Sequence, residues 1–320
     1  MTTDVTTTPP DRAAPRHGTL PPGGPRAHTA RREAWRRRAP LLPALVFAII
    51  VTQIPFLVTV WYSLNSWNLV NPGSERFIGL SNYVDVFRDS VFRGAALNTV
   101  LITGGCVIVS MVFGIGLALL LDRQFVGQSV ARTLIITPFL VMPVAGALIW
   151  KTTMLDPIFG IVNFAIGLVG FDPVDWTSSA PLLSVIGALV WQWTPFMTLL
   201  VLAGLQSQER NVLEAAQVDG AGPVRTFRSI TMPHLRRYVE LGVLLGAIYV
   251  VNTFDQIYIM TQGGPGTASA NLPFYIYQRA FLGFDVGQAA AMGVVVVIGT
   301  IIVAMFALRL LFRTFAEETR

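Results

Sequence analysis

Residues 182–205 read LLSVIGALVWQWTPFMTLLVLAGL, and residues 206–237 read QSQERNVLEAAQVDGAGPVRTFRSITMPHLRR. The first stretch holds no charged residue and is long enough for a membrane span, which needs roughly 20 mainly apolar residues. It shows no alternation of period two, so it reads as a helix and not as a strand of a barrel. In lipid only helices and closed barrels satisfy their own backbone. The second stretch is polar and carries Arg210, Arg225, Arg228, Arg236 and Arg237. Arginine-rich connections stay on the cytosolic side, which orients the span that precedes them.

Outward from this pair, five more apolar blocks occur at about 41–64, 95–121, 133–150, 241–260 and 286–311. The expectation is an all-α membrane protein of six transmembrane helices with both termini cytosolic. Pro138 and Pro143 interrupt the third block, and such breaks are tolerated where neighbouring helices take up the freed carbonyls. The loop at 151–180 holds Asp156, Asp172 and Asp175 without an arginine, which fits the outer side. Within it, 160–169 reads as a short helix on the membrane surface. Residues 1–39 are rich in Pro, Gly, Thr and Arg, and read as a disordered cytosolic tail. Arg31, Arg32, Arg36, Arg37 and Arg38 hold that tail inside. No small-x-small site follows the first block at 63–67, so it is read as a span and not as a cleaved leader. Residues 40–320 are read as one membrane domain, with a cytosolic loop at 206–237.

Composition agrees. Apolar residues make up 53% and charged residues 13% of the chain, and the mean hydropathy is +0.58. A soluble domain of this size needs far more polar surface. The net charge of +5 comes mainly from the tail, so it points to membrane orientation and not to nucleic acid. The single cysteine, Cys106, excludes an internal disulfide and a cysteine-built metal site. His17, His28 and His234 stand apart, so no metal ligand set is expected. Lys151 is the only lysine and follows Trp150, which excludes a Gly-Lys-Ser/Thr phosphate loop in this chain.

The polar loop has an internal logic. Ser207 is placed to cap a helix at 208–218, and Gly220 to end it in the left-handed conformation. Pro223 suits the first position of a second short helix. Val224, Phe227 and either Ile230 or Thr231 then share one face, and Pro233 ends that helix before the fifth span. An apolar stripe outside the bilayer requires a partner groove.

Glu214–Ala215–Ala216, three residues, Gly220, nine residues and Ile230–Thr231–Met232–Pro233 resemble the EAA motif of ABC importer permeases, with Met232 where leucine is usual. That exchange conserves volume and apolarity. Phe77–Ile78–Gly79–Leu80–Ser81–Asn82–Tyr83, Asp156–Pro157–Ile158–Phe159–Gly160–Ile161–Val162–Asn163 and Gly263–Gly264–Pro265 resemble further stretches of the carbohydrate-uptake branch, and of the first of its paired subunits. The resemblance covers about 40–315. It implies a type I importer fold in the cytoplasmic membrane. It also implies a second permease subunit, an ATPase dimer that binds ATP and magnesium, and an extracytoplasmic solute-binding protein. Glu214, Ala215, Ala216, Asp219, Gly220, Phe227, Ile230 and Pro233 would then couple the loop to the ATPase.

The helices flanking such a loop line the cavity in this family. Polar groups within spans usually face the bundle interior. Gln192, Trp193 and Phe196 on the fourth span, and Tyr249, Asn252, Thr253 and Asp255 (or Gln256) on the fifth, are therefore the expected substrate pathway. Thr194 and Gln262 belong to the same polar set. Amides and carboxylates bond hydroxyls, and aromatic faces stack on sugar rings. The competing role for each residue is interhelical packing. A sugar or sugar alcohol is the expected cargo. Glycerol phosphate is the alternative, although no arginine sits in mid-span to hold a phosphate. A secondary transporter would place several acidic residues or broken-helix repeats in the spans. A membrane-embedded enzyme would need a nucleophile–base pair or metal cluster. Neither pattern is visible in this sequence.

Overall fold

The computed structural model describes residues 41–71, 73 and 75–318, with side chains described up to 303 and at 305. The expected tail at 1–39 and the side chains of Arg309 and Arg313 lie outside the described residues. The chain divides into two compact units, 1–56 and 57–320. In the first, the described residues begin helix α1 (Leu42–Ser63), which is apolar and has no buried residue before Ser63.

The second unit is built on three helices. Helix α2 (Ser81–Arg88) leads into α3 (Ser90–Leu121), and α3 packs along α8 (Pro181–Gln206) more extensively than any other pair. Helix α11 (Met232–Val250) lies against both. Small residues permit this approach. A Cβ on Gly114 of α3 would stand 2.7 Å from the Cβ of Met197 on α8, and one on Gly246 of α11 would stand 2.5 Å from the Met197 Cε. In lipid, where the solvent is as apolar as the side chains, such close van der Waals contact holds helices together. Met197, Val201 and Leu235 are buried at its centre.

Among the described residues four helices are long and apolar enough to cross a membrane: Leu42–Ser63, Ser90–Leu121, Pro181–Gln206 and Val286–Val303. The last is part of α14 (Val286–Glu318). The expected third span is a bent pair, α4 (Gln128–Leu140) and α5 (Pro143–Ile149), the latter extended by a π-turn over Trp150–Met154; the two halves turn by 100°. Counted as one span, the pair brings the total to five. The bend falls at Val141 and Met142, both extended at ψ 130° and 134°. Pro143 disfavours helical geometry in the residue before it, so the break lies ahead of Pro143, and Pro138 is absorbed within α4.

The expected fifth span at 241–260 is also not continuous. Helix α11 ends at Val250, residues 251–254 are non-helical, and α12 (Asp255–Met260) follows. The Thr253 carbonyl freed by the break accepts the Asn271 side-chain amide. Six spans are therefore not reproduced by length and composition of the helices, although α11 and α12 occupy the fifth position.

Asparagines tie the connections down. Asn82 donates to the carbonyls of Ser63 (2.9 Å) and Asn65 (3.0 Å), next to a two-residue ribbon pairing Asn65–Ser66 with Arg76–Phe77. Asn163, on α6 (Ile161–Gly167), donates to the Val174 carbonyl (2.9 Å) and accepts from the indole of Trp176 (3.0 Å), the first residue of α7 (Trp176–Ser179). Helix α6 falls inside the stretch 160–169 expected as a surface helix. Asn98 of α3 donates to the carbonyls of Ala268 (3.1 Å) and Ala270 (2.9 Å), just before α13 (Leu272–Tyr277). Asp89 caps α3 through Val91 N and pairs with Arg279 at 3.1 Å. Burial pushes the Asp89 carboxyl up, but bonds from Tyr275, Val91 N and Arg279, with the Arg279 charge, outweigh it and hold the group below its usual range.

Candidate functional site

The polar loop folds into two short helices, α9 (Arg210–Val218) and α10 (Pro223–Thr226). Gly220 has φ +75° between them. Ala221 N donates to Ala216 O (2.9 Å) and Gly220 N to Gln217 O (3.0 Å), which close the helix end as a Schellman turn. Pro223 takes the first turn of α10, as expected.

Two local expectations are corrected. Ser207 does not cap α9, whose preceding residue Glu209 makes no side-chain cap. It instead ends α8, with its hydroxyl on the Gly204 carbonyl (2.8 Å), the Tyr238 hydroxyl (2.8 Å) and His234 Nε2 (3.1 Å). Pro233 does not end the second helix. The chain runs on from α10 through a π-turn at Phe227–Thr231 into α11. Met232 N reaches back to Phe227 O, and this widened turn accommodates a proline that a regular α-turn would expel.

The expected coupling residues fall into two groups. Glu214, Ala215, Asp219, Gly220 and Pro233 are exposed, while Ala216 is buried. Glu214 makes no hydrogen bond or ion pair among the described residues. Phe227 is half-buried and looks into a cavity of about 770 Å³ behind the loop, with Leu119, Leu205, Leu213 and Thr231. Ile230 lines a separate hollow with Ala215, Ala216 and Asp219, so Thr231 and not Ile230 shares the Phe227 side. The most exposed large apolar groups of the loop are Val218, 88% exposed, and Val224, 78% exposed, with Val212 less so. Val218 was missed because it falls off the stripe of the second helix.

A second cavity, of about 300 Å³, collects Gln192, Trp193, Tyr249, Asn252, Thr253 and Asp255, six of the seven expected pathway residues. Phe196 stands behind its wall, stacked on Phe139 at 5.6 Å and edge-on to Trp193 at 5.8 Å. Phe139, Val141, Pro143, Phe254 and Gln256 complete the lining. The 100° bend brings the first three there, and the prolines were their only signal in the sequence. Thr194 turns back on Val190 O (2.6 Å), and Gln262 lies outside the lining. Gln256 Nε2 donates to Gln192 Oε1 (2.7 Å), and Gln192 Nε2 donates to the Val141 carbonyl freed at the bend (3.1 Å). Trp193 lies 5.7 Å from both Phe139 and Tyr249, ring centre to ring centre. The non-helical stretch 251–254 borders this space, as irregular backbone at membrane depth must. Among the described residues no three His, Cys, Asp or Glu side chains converge as a metal ligand set.

The family described as "Binding-protein-dependent transport system inner membrane component" matches residues 112–316. A probable ABC transporter permease, y4oQ of Sinorhizobium fredii, is 38% identical over 85% of this chain and 88% of its own length. The trehalose/maltose transport system permease MalF of Thermococcus litoralis is 32% identical over 81% of this chain and 88% of its own. A crystal structure of a bacterial ABC transporter that imports the acidic polysaccharide alginate shares the fold, with TM-score 0.75 at 22% identity over 90% of this chain and 99% of that one. The chain therefore belongs to the inner-membrane components of binding-protein-dependent ABC transport systems, with the type I importer permease fold.

Proposed function

We propose that this chain is one of two permease subunits of an importer for a sugar or sugar alcohol. A separate ATPase dimer, carrying ATP and magnesium, receives the loop at 206–237, and an extracytoplasmic solute-binding protein delivers the cargo. The observation that carries this reading is the placement of loop and cavity on the same two helices. Helix α8 bears Gln192 and Trp193, and enters the loop at Ser207, about 22 Å further along the helix. Helix α11 leaves the loop and ends at Val250, beside the cavity residues Tyr249 and Asn252. A displacement of the loop is thereby a displacement of the cavity wall, which is what coupling between two states requires. The unpaired Glu214 and the exposed Val218 and Val224 supply the surface for the ATPase. The amides and aromatic rings of the cavity suit hydroxyls and sugar faces, and the name of the Thermococcus relative points the same way.

The test is purification with native partners and reconstitution. A second permease and an ATPase are expected to co-purify, and binding protein loaded with a sugar or polyol is expected to stimulate hydrolysis. A complex without an ATPase, or one stimulated only by non-carbohydrate solutes, would overturn the reading. A reporter fused after Arg320 is expected to be active in the cytosol; activity confined to the outside would reverse the assigned orientation.

The cavity variants separate pathway from packing. Asn252 donates only to Ile248 O in the last turn of α11 (2.8 Å) and is exposed at the cavity. Asn252→Leu should assemble normally and transport about 2- to 10-fold more slowly, the loss of one hydroxyl contact worth about 0.5–1.5 kcal/mol. Gln192→Leu should behave differently, because it strands the buried Gln256 amide and the Val141 carbonyl. It should lower stability by about 1–3 kcal/mol per stranded group and reduce the yield of assembled complex. Normal transport by both variants would remove these residues from the pathway.

A further inference from the structure

The cavity contains one formal charge among its lining side chains, Asp255, and no lysine, arginine or histidine. The other described acidic residues that are partly buried all have partners. Asp89 binds Arg279 and Val91 N, Asp156 accepts from Ile158 N and Phe159 N, Asp285 accepts from Gln288 N, and Glu240 pairs with Arg236. Asp255 is half-buried and its carboxylate makes no hydrogen bond or ion pair among the described residues. The lone lysine, Lys151, is turned away from the cavity, with its ammonium on the Ile259 carbonyl at 2.8 Å.

We propose that Asp255 makes this cavity select by charge, admitting neutral or cationic carbohydrates, amino sugars included, and excluding anionic ones. This rests on the reading of the cavity as the translocation pathway. A single carboxylate between low-dielectric walls focuses a negative potential into the cavity, which mobile ions weaken as salt rises. A uronate or phosphorylated sugar meets like charge there and finds no guanidinium in this chain's lining to receive it. Hydroxyls have the reverse experience, since a carboxylate accepts their hydrogen bonds more strongly than a neutral oxygen does. An ammonium group gains a direct ion pair. The charge lies at the break between α11 and α12, next to Asn252 and Thr253, so solute passing those side chains passes the carboxylate.

The potential can be read without knowing the cargo. The chain has one native cysteine, Cys106, and it is buried. In the assembled importer, Asn252→Cys would be labelled with a cationic trimethylammonium methanethiosulfonate and with an anionic sulfonate analogue. Labelling of this chain is followed by mass. The cation-to-anion rate ratio is expected to fall roughly tenfold when Asp255→Asn is added, and to persist in Asp255→Glu. An unchanged ratio in Asp255→Asn overturns the proposal. Should that double variant fail to assemble, the ratio in Asn252→Cys alone should shrink as salt rises; a salt-independent ratio overturns it equally. Labelling of Asn252→Cys by a neutral thiol reagent with and without vanadate-trapped ATP tests the pathway reading separately. Accessibility that ignores ATP would count against the pathway, whereas the charge ratio reports on Asp255.

Discussion

Gly220→Val is expected to abolish the stimulation of ATP hydrolysis by loaded binding protein, while the chain still inserts and the complex still assembles. Gly220 holds φ +75° in the turn between α9 and α10. A Cβ there would meet nothing within 4 Å, so the effect is one of backbone conformation and not of collision. An L-residue in this region costs about 1–2 kcal/mol, and a β-branched one more. The chain escapes the cost by unwinding the Schellman turn, which releases the bonds from Ala221 N and Gly220 N and re-aims α10 relative to α9. Val218 and Val224 flank that turn, so their outward surface is lost as a unit. Asparagine tolerates the left-handed region, and Gly220→Asn should retain most of the stimulation. Wild-type stimulation in Gly220→Val would show that this turn does not carry the coupling.

Gly204→Val should loosen the base of the same loop from the membrane side. A Cβ at Gly204 would stand 2.6 Å from Tyr238 Cδ2 and 2.8 Å from Leu235 Cδ2. Leu235 is fully buried and cannot give way freely. Overpacking of this kind costs about 1–3 kcal/mol and pushes α8 from α11. The bonds that bracket the loop break with it: Ser207 with Tyr238, and His234 Nε2 with the Gly204 carbonyl (3.1 Å). The docking surface itself is untouched, so the ATPase should still co-purify. The thermal midpoint should fall, and more ATP should be hydrolysed per solute transported. Ser207→Ala, which removes the hydroxyl without adding bulk, should show the same direction at a smaller size. An unchanged midpoint and an unchanged ratio in Gly204→Val would mean that α8 and α11 do not grip each other here.

Much of this protein was legible in the chain itself, because the deciding quantities are local. Apolar blocks near the length of a bilayer report their solvent directly, and α1, α3, α8 and α14 lie where those blocks lie. Gly220 and Pro223 specify their turn by residue chemistry alone, and the resemblance of the loop rested on spacing. Polar and aromatic residues within apolar helices led to seven candidates, and six of them line one cavity.

Tertiary structure decided what depends on partners distant in sequence. The run at 241–260 is apolar enough to pass for one span. It breaks at 251–254 because Asn271, eighteen residues beyond Thr253, satisfies the freed carbonyl. The third block breaks ahead of Pro143, and Gln192 of α8 donates to the Val141 carbonyl bared there; that bend carries Phe139 and Val141 into the cavity. Ser207 ends α8 and does not cap α9, because Tyr238 and His234, across the loop, compete for its hydroxyl. In each case hydropathy states that backbone groups cannot be left bare in lipid. Which remote side chain covers them is set only when the helices pack.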